Sequence, residues 1–172
     1  MWAFWCLFGL FVVSTSIRST YEALKRNGKV DAENRPLFAF IALTMAVLWL
    51  SWFSMCSIDP NRLQLPGFVK WSGLGITIIG WCLALGALVQ LRGVEDIDHL
   101  VTRGLFTRLR HPMYTGFMFW ILGWSLFHGA GISLIAGVFG IGNVVYWRRV
   151  EETALETRFG DPYRVYRAQT WF

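Results

Sequence analysis

Two short polar stretches contain the side chains best suited to bind a charged ligand. The first covers residues 99–116 and includes His111, Pro112 and Tyr114. The second is Arg148-Arg149-Val150-Glu151-Glu152, with two arginines and two glutamates. Together they offer cation, anion, imidazole and phenol groups. This set predicts a site for a small charged molecule, but it does not name a reaction.

The predicted helix start at Pro112 is a candidate anion site. Proline suits the first turn of a helix, because its missing N–H would have no partner there. The free N–H groups and the positive dipole end of such a helix attract an anionic group, for example a ligand carboxylate. Gly116, one turn further on, leaves room for a ligand or for a neighbouring helix.

A hairpin is expected to bring the two stretches together. Between them lies an apolar run of 35 residues, Met113–Trp147. One helix of that length would measure about 52 Å, well beyond the roughly 30 Å of a hydrocarbon core. The break at 127–131 (Phe-His-Gly-Ala-Gly) predicts two short helices joined by a tight turn. Because the hairpin returns the chain to the side where it began, His111 and Glu151 are expected to lie close in space.

Each candidate group also has a purely structural interpretation. Arg110 and His111 would serve equally as interfacial positive charges, and Tyr114 as an aromatic residue at the membrane boundary. Glu151 and Glu152 would serve as the solvated face of a surface helix. The spacing alone leaves these alternatives open.

The composition indicates a membrane protein. The chain has 172 residues, of which 55% are hydrophobic and 16% charged, whereas soluble domains have about 25% charged residues. The net charge of +5 does not indicate nucleic acid, because the basic residues fall in clusters between membrane-length apolar runs. The three cysteines each lie inside an apolar run and form no CxxC pair, so no zinc site is expected.

The apolar runs predict an all-α, polytopic bundle of five transmembrane helices that forms a single domain over residues 1–172. Three runs precede the C-terminal hairpin: Trp2–Ile17, Leu37–Ile58 and Val69–Leu91. No Lys or Arg precedes Arg18, so the first run is expected to be a retained helix and not a signal peptide. Residues 148–159 are expected to form an amphipathic cytosolic tail helix, followed by an aromatic and basic segment at the membrane surface.

Five spans give a consistent orientation. They place the first and third loops and the C-terminus on one side, which then holds 14 of the 16 Lys and Arg residues. Because basic loops remain in the cytosol, the N-terminus is expected outside and the C-terminus inside.

The polar stretches resemble a known family. Residues 99–116 read H-L-V-T-R-G-L-F-T-R-L-R-H-P-M-Y-T-G, and residues 151–166 read E-E-T-A-L-E-T-R-F-G-D-P-Y-R-V-Y. Both are similar to the isoprenylcysteine carboxyl methyltransferases and to the wider group that includes phospholipid methyltransferases. The resemblance covers residues 98–166, about 40% of the chain.

The resemblance implies S-adenosylmethionine bound near the cytosolic face by the part of the domain at 92–172, after a three-helix part at 1–91. It implies methyl transfer to a carboxylate of a lipophilic small molecule, or to a lipid head-group amine, with no metal. The implied cofactor-binding residues are His99, Leu100, Val101, Gly104, Phe106, His111, Pro112, Tyr114, Glu151 and Glu152. The implied catalytic residues are Arg148 and Glu151.

The chain departs from the family pattern at two places. Leu105-Phe106 replaces a frequent Pro-Tyr, and Arg167-Ala168-Gln169-Thr170 replaces a frequent Val-Pro motif in the tail. These departures leave room for a non-catalytic membrane scaffold. A transporter is disfavoured because no Lys, Arg, Asp or Glu lies at the centre of a predicted span. Another alternative is a sterol or isoprenoid reductase, because these enzymes share a distant C-terminal likeness but use a nicotinamide cofactor. The chain's brevity favours a prokaryotic plasma membrane, and its oligomeric state stays open.

Overall fold

The computed structural model describes residues 1–30, 34–91 and 99–172. Within these residues lie six α-helices and one 3₁₀ helix. The α-helices are α1 (Trp2–Arg26), α2 (Arg35–Ser57), α3 (Gly67–Leu91), α4 (Pro112–His128), α5 (Gly131–Phe159) and α6 (Asp161–Gln169). The 3₁₀ helix, Gly104–Thr107, lies between α3 and α4. The all-α prediction is therefore confirmed for the described part of the chain.

Four helices, α1, α2, α3 and α5, are long and apolar enough to cross a membrane, so the chain is a multi-pass membrane protein. The helix α4 has 17 residues and measures about 26 Å, slightly less than the roughly 30 Å of a hydrocarbon core. The fifth predicted span is therefore a shorter helix, and its crossing of the membrane stays a prediction.

The helix ends follow local sequence signals. Asn34 accepts a hydrogen bond from the Leu37 N–H at 3.1 Å and caps α2. The predicted hairpin is confirmed, because α4 and α5 are separated only by Gly129 and Ala130. Gly129 has a φ of 61°, a left-handed conformation that glycine adopts without strain.

The α3–α4 contact is made by facing glycines. A Cβ on Gly80 would lie 2.7 Å from the Gly116 carbonyl oxygen, and a Cβ on Gly123 would lie 2.5 Å from that of Gly73. The two backbones therefore touch directly, as small residues allow in membrane helix pairs. Of the two occupants expected beside Gly116, the structure places the neighbouring helix there.

The α2–α3 loop holds the hairpin turn at the end opposite the polar stretches. Asp59 is buried and accepts hydrogen bonds from the Ser133 N–H and hydroxyl, both at 2.6 Å. Arg62 donates to the His128 carbonyl oxygen at 2.8 Å. These contacts join the loop to the last residue of α4 and the first turn of α5, so the turn is fixed.

The predicted tail helix is not a separate element. Residues 148–159 continue α5 without a break, and Gly160 ends it with a φ of 57°. The segment after it forms α6, in which Tyr163 and Tyr166 are buried against the rest of the protein. Val165 and Trp171 are exposed, and the expected place of this segment at the membrane surface stays a prediction.

One apolar core joins α1, α2, α4 and α5. Among the described residues, α3 contributes only Ala84 to it. Trp52 of α2 lies at its centre, with its ring 5.1 Å from that of Phe11 in α1. Trp49 packs its ring 4.8 Å from both Phe117 and Trp120 of α4. Large apolar side chains on the outer faces, including Leu50, Val89 and Phe139, are exposed as lipid contact requires.

We expect Gly80→Ala to destabilise the bundle and Gly75→Ala to leave it intact. Both glycines lie in α3, but nothing lies within 4 Å of a Cβ on Gly75, whereas a Cβ on Gly80 would meet the α4 backbone. Overpacking of this kind costs about 1–3 kcal/mol. Thermal unfolding in detergent measures the difference, and equal midpoints for the two variants would contradict the α3–α4 contact.

Candidate functional site

A buried carboxylate, that of Glu152, joins the two polar stretches. Its Oε1 accepts a hydrogen bond from Arg110 Nε at 3.2 Å and lies 3.3 Å from His111 Nε2. Its Oε2 accepts a hydrogen bond from the Arg148 guanidinium at 3.2 Å. The Glu152 side chain is only 9% exposed, so the charges are paired away from most of the solvent. We call Arg110, His111, Arg148 and Glu152 the Glu152 cluster.

Three elements position the Glu152 cluster. Arg148 and Glu152 are one turn apart on α5. Arg110 and His111 immediately precede α4, and their backbone N–H groups donate to the carbonyl oxygens of Trp171 at 2.9 Å and Phe172 at 3.1 Å. The Arg110 guanidinium also donates to a carbonyl oxygen at the end of α6. The segment after α6 therefore fixes the residues that meet Glu152.

His111 and Glu151, which were expected to lie close in space, line the same cavity. The direct partner of His111 is the neighbouring Glu152. Successive residues on a helix point about 100° apart. Glu152 therefore faces the cluster, and Glu151 faces the adjacent cavity.

That cavity lies beside the cluster and is partly open to solvent. The lining residues combine charged and polar groups with aromatic and aliphatic ones: Leu91, His99, Leu100, Val101, Phe106, Arg110, His111, Glu151, Leu155, Phe159, Tyr163 and Tyr166. The wall thus suits a ligand with a charged part and a flat apolar part.

The structure places the predicted site residues in two groups. Six line the cavity: His99, Leu100, Val101, Phe106, His111 and Glu151. Five lie outside its lining: Gly104, Pro112, Tyr114, Arg148 and Glu152.

Three of the residues outside the lining, Gly104, Pro112 and Tyr114, support it from behind. Gly104 has a φ of 63° and packs on Gln90, whose side-chain oxygen accepts the Leu105 N–H at 2.9 Å. Pro112 and Tyr114 are buried in the first turn of α4, where the Tyr114 ring lies 5.6 Å from that of His111. These residues hold the lining in place.

Several residues that line the cavity were not predicted from the sequence. Leu155 and Phe159 follow Glu151 at intervals of four on α5, so helical periodicity gave a signal that would have found them. Tyr163 and Tyr166 lie three apart on α6. Their pattern of aromatic and basic neighbours is equally typical of a surface helix, and only the fold shows that they face the cavity.

The two tyrosines of α6 are neutral groups at physiological pH. Burial raises the pKa of Tyr163 and of Tyr166 to about 12. The Tyr166 hydroxyl donates to the Phe106 carbonyl oxygen at 2.7 Å, whereas the Tyr163 hydroxyl has no partner among the described residues. Within the same residues, no group of three His, Cys, Asp or Glu side chains is placed to hold a metal ion.

Comparison with known proteins identifies similar chains. A family model described as phospholipid methyltransferase matches residues 71–162. The chain is 31% identical over 130 residues to a protein-S-isoprenylcysteine O-methyltransferase of Schizosaccharomyces pombe, which covers 62% of this chain and 53% of that protein. It is 31% identical over 114 residues to a probable protein-S-isoprenylcysteine O-methyltransferase of Oryza sativa subsp. indica, with 58% and 57% covered.

A third similar protein is named for a different activity. The chain is 25% identical over 178 aligned positions to the chloroplastic 15-cis-zeta-carotene isomerase of Zea mays, with 94% of this chain and 47% of that protein covered. The chain spans about half the length of these curated relatives. The family model covers more than half of the chain, including all of α4 and α5 and the Glu152 cluster. The chain therefore belongs to the isoprenylcysteine carboxyl methyltransferase and phospholipid methyltransferase family.

Proposed function

We propose that this protein is an S-adenosylmethionine-dependent membrane methyltransferase that acts on a carboxylate of a lipophilic small molecule. The observation that carries the proposal is the cavity beside the Glu152 cluster, where charged and aromatic groups share one wall. Two of the relatives are named as O-methyltransferases of an isoprenylcysteine, which is a lipophilic carboxylate.

The cavity residues fit the methyl donor. S-adenosylmethionine has a flat purine, a ribose, and a charged amino acid part. Phe106 and Phe159 provide rings for the purine, while Glu151 is placed to accept hydrogen bonds from the donor's amino group or ribose. His111 and the start of α4 at Pro112 provide positive potential for its carboxylate.

Bound S-adenosylmethionine supplies an activated methyl group, so the protein's task is mainly to position the acceptor. Arg148 is the proposed acceptor ligand. One of its terminal nitrogens bonds Glu152, but its buried Nε has no partner among the described residues. A carboxylate is anionic at neutral pH and needs no general base. An arginine held in place by Glu152 would orient it with the remaining N–H groups.

The proposed orientation places this site at the cytosolic face. The side that carries the site also carries the basic first and third loops and the basic C-terminal segment, together 14 of 16 Lys and Arg residues. The acceptor's apolar part would enter from the inner leaflet between the helices, where large apolar side chains face outward.

A lipid head-group amine is the second candidate acceptor, favoured by the description of the matching family model. An amine must lose a proton before it is methylated. Glu151 and His111, which both line the cavity, are the groups placed to take it. Incubation of lipid extracts with labelled donor, followed by mass spectrometry, distinguishes a methyl ester from a methylated amine.

The first expected outcome concerns donor binding. S-adenosylhomocysteine, the demethylated donor, should bind to the detergent-solubilised full chain with a measurable heat in titration calorimetry. A folded protein that gives no binding at millimolar ligand would rule out the proposed cofactor. That result would favour a different activity in the same fold, such as the isomerisation named for the Zea mays relative.

Glu151→Gln should weaken this binding by about 1–3 kcal/mol, roughly 5- to 150-fold in Kd, because a charged acceptor in the cavity becomes neutral. Glu156→Gln is the matched control. Glu156 lies on the same helix, but it pairs with Arg164 and Arg167 away from the cavity. Equal Kd values for the two variants would remove Glu151 from the donor site.

Glu152→Gln should reduce stability as well as binding. The substitution leaves three cationic or imidazole groups around a neutral amide, and breaking a buried ion pair costs about 3–5 kcal/mol. Glu156→Gln breaks exposed pairs that contribute about 0–1 kcal/mol. Thermal unfolding with and without S-adenosylhomocysteine measures both effects. A Glu152→Gln variant as stable as Glu156→Gln would contradict the supporting role of the cluster.

A further inference from the structure

The side chain of Tyr163 is the most unusual part of the cavity wall. It is fully buried, and it lines the cavity from α6. Its hydroxyl is enclosed and has no hydrogen-bond partner among the described residues. A buried hydroxyl without a partner loses its hydrogen bonds to water and gains nothing in return, so native structures seldom retain one without a reason.

The neighbouring Tyr166 shows that α6 is able to satisfy a buried phenol. Its hydroxyl donates to the Phe106 carbonyl oxygen at 2.7 Å and thereby ties α6 to the 3₁₀ helix. Both tyrosines line the same cavity and have similar burial. The difference between them is that the hydroxyl of Tyr163 is left without a partner among the described residues.

The position of Tyr163 is set firmly by its surroundings. Arg110 donates to the carbonyl oxygen of Arg167 at 2.9 Å, and the backbone beyond α6 pairs with the segment before α4. These contacts hold α6 against the Glu152 cluster. The Tyr163 ring consequently has little freedom to turn its hydroxyl toward bulk solvent.

From this geometry we infer that Tyr163 is a donor-binding residue, whose hydroxyl gives a hydrogen bond to an acceptor atom of the adenosyl methyl donor. The inference rests on the proposed function, because it takes the same cavity to be the donor site. It adds a direct ligand contact from α6, an element to which sequence analysis assigned no site residue.

Two properties suit the hydroxyl to this contact. Because its pKa is raised to about 12 by burial, it keeps its proton at neutral pH and donates. Since solvent does not reach it, the bond requires neighbouring side chains of the cavity wall to change rotamer as the donor binds, while the Tyr163 ring stays in place. Side-chain rotamer changes are common on binding.

Tyr163→Phe tests the inference, because it removes the hydroxyl and keeps the ring. We expect S-adenosylhomocysteine to bind about 3- to 10-fold more weakly, as the loss of one neutral hydrogen bond predicts. The thermal midpoint without ligand should stay unchanged or rise, since the hydroxyl makes no bond within the described protein. Calorimetry and thermal unfolding of the solubilised full chain give the two values.

Tyr166→Phe is the matched control for folding. It removes a hydroxyl that bonds a buried carbonyl oxygen, so the ligand-free midpoint should fall. If the midpoint of Tyr163→Phe falls equally, its hydroxyl has a partner within the protein and the inference is wrong. If Tyr163→Phe binds as tightly as the parent chain, the inference is also wrong while the cofactor assignment stands. If the parent chain binds no S-adenosylhomocysteine, the proposed function and this inference both fail.

Discussion

The pairing of the Glu152 carboxylate with groups from both ends of the hairpin is the constraint on which the site depends. Arg148 comes from the same helix, whereas Arg110 and His111 come from the segment before α4. A nearly buried carboxylate is costly unless each oxygen has a partner. The ends of α4 and α5 must therefore stay in register, because a shift of one turn would leave buried charges unpaired.

The remainder of the bundle fixes that register from the other end. Asp59 and Arg62 hold the hairpin turn, and the facing glycines of α3 and α4 set the depth of α4 in the bundle. Helix α4 is thus anchored at its turn, along one face, and at its first residue. The cavity lies beside the residues that precede α4. Two short elements, α6 and the 3₁₀ helix, complete its wall.

Hydrophobic run lengths were enough to predict the helices and the hairpin, because membrane thickness restricts the length of a span. Run lengths did not determine whether Glu151 or Glu152 would contact His111 directly, since the two residues are adjacent on one helix and differ only in the direction of their side chains. The burial of α6 was also beyond prediction. Its aromatic and basic residues fit a membrane surface, and their actual position depends on backbone pairing of the last residues with Arg110 and His111.

A missing hydrogen-bond partner is not sufficient to mark a ligand site in this protein. The indole N–H groups of Trp52 and Trp120 also have no partner among the described residues, yet both lie in the apolar core, where no described cavity reaches them. Tyr163 differs because its side chain lines a cavity beside charged groups. Groups whose hydrogen bonds are complete, such as Glu152 and Tyr166, support the fold. In the role inferred for Tyr163, a ligand would supply the hydrogen bond that its hydroxyl lacks, so it is the missing partner together with the position in the cavity wall that points to a ligand.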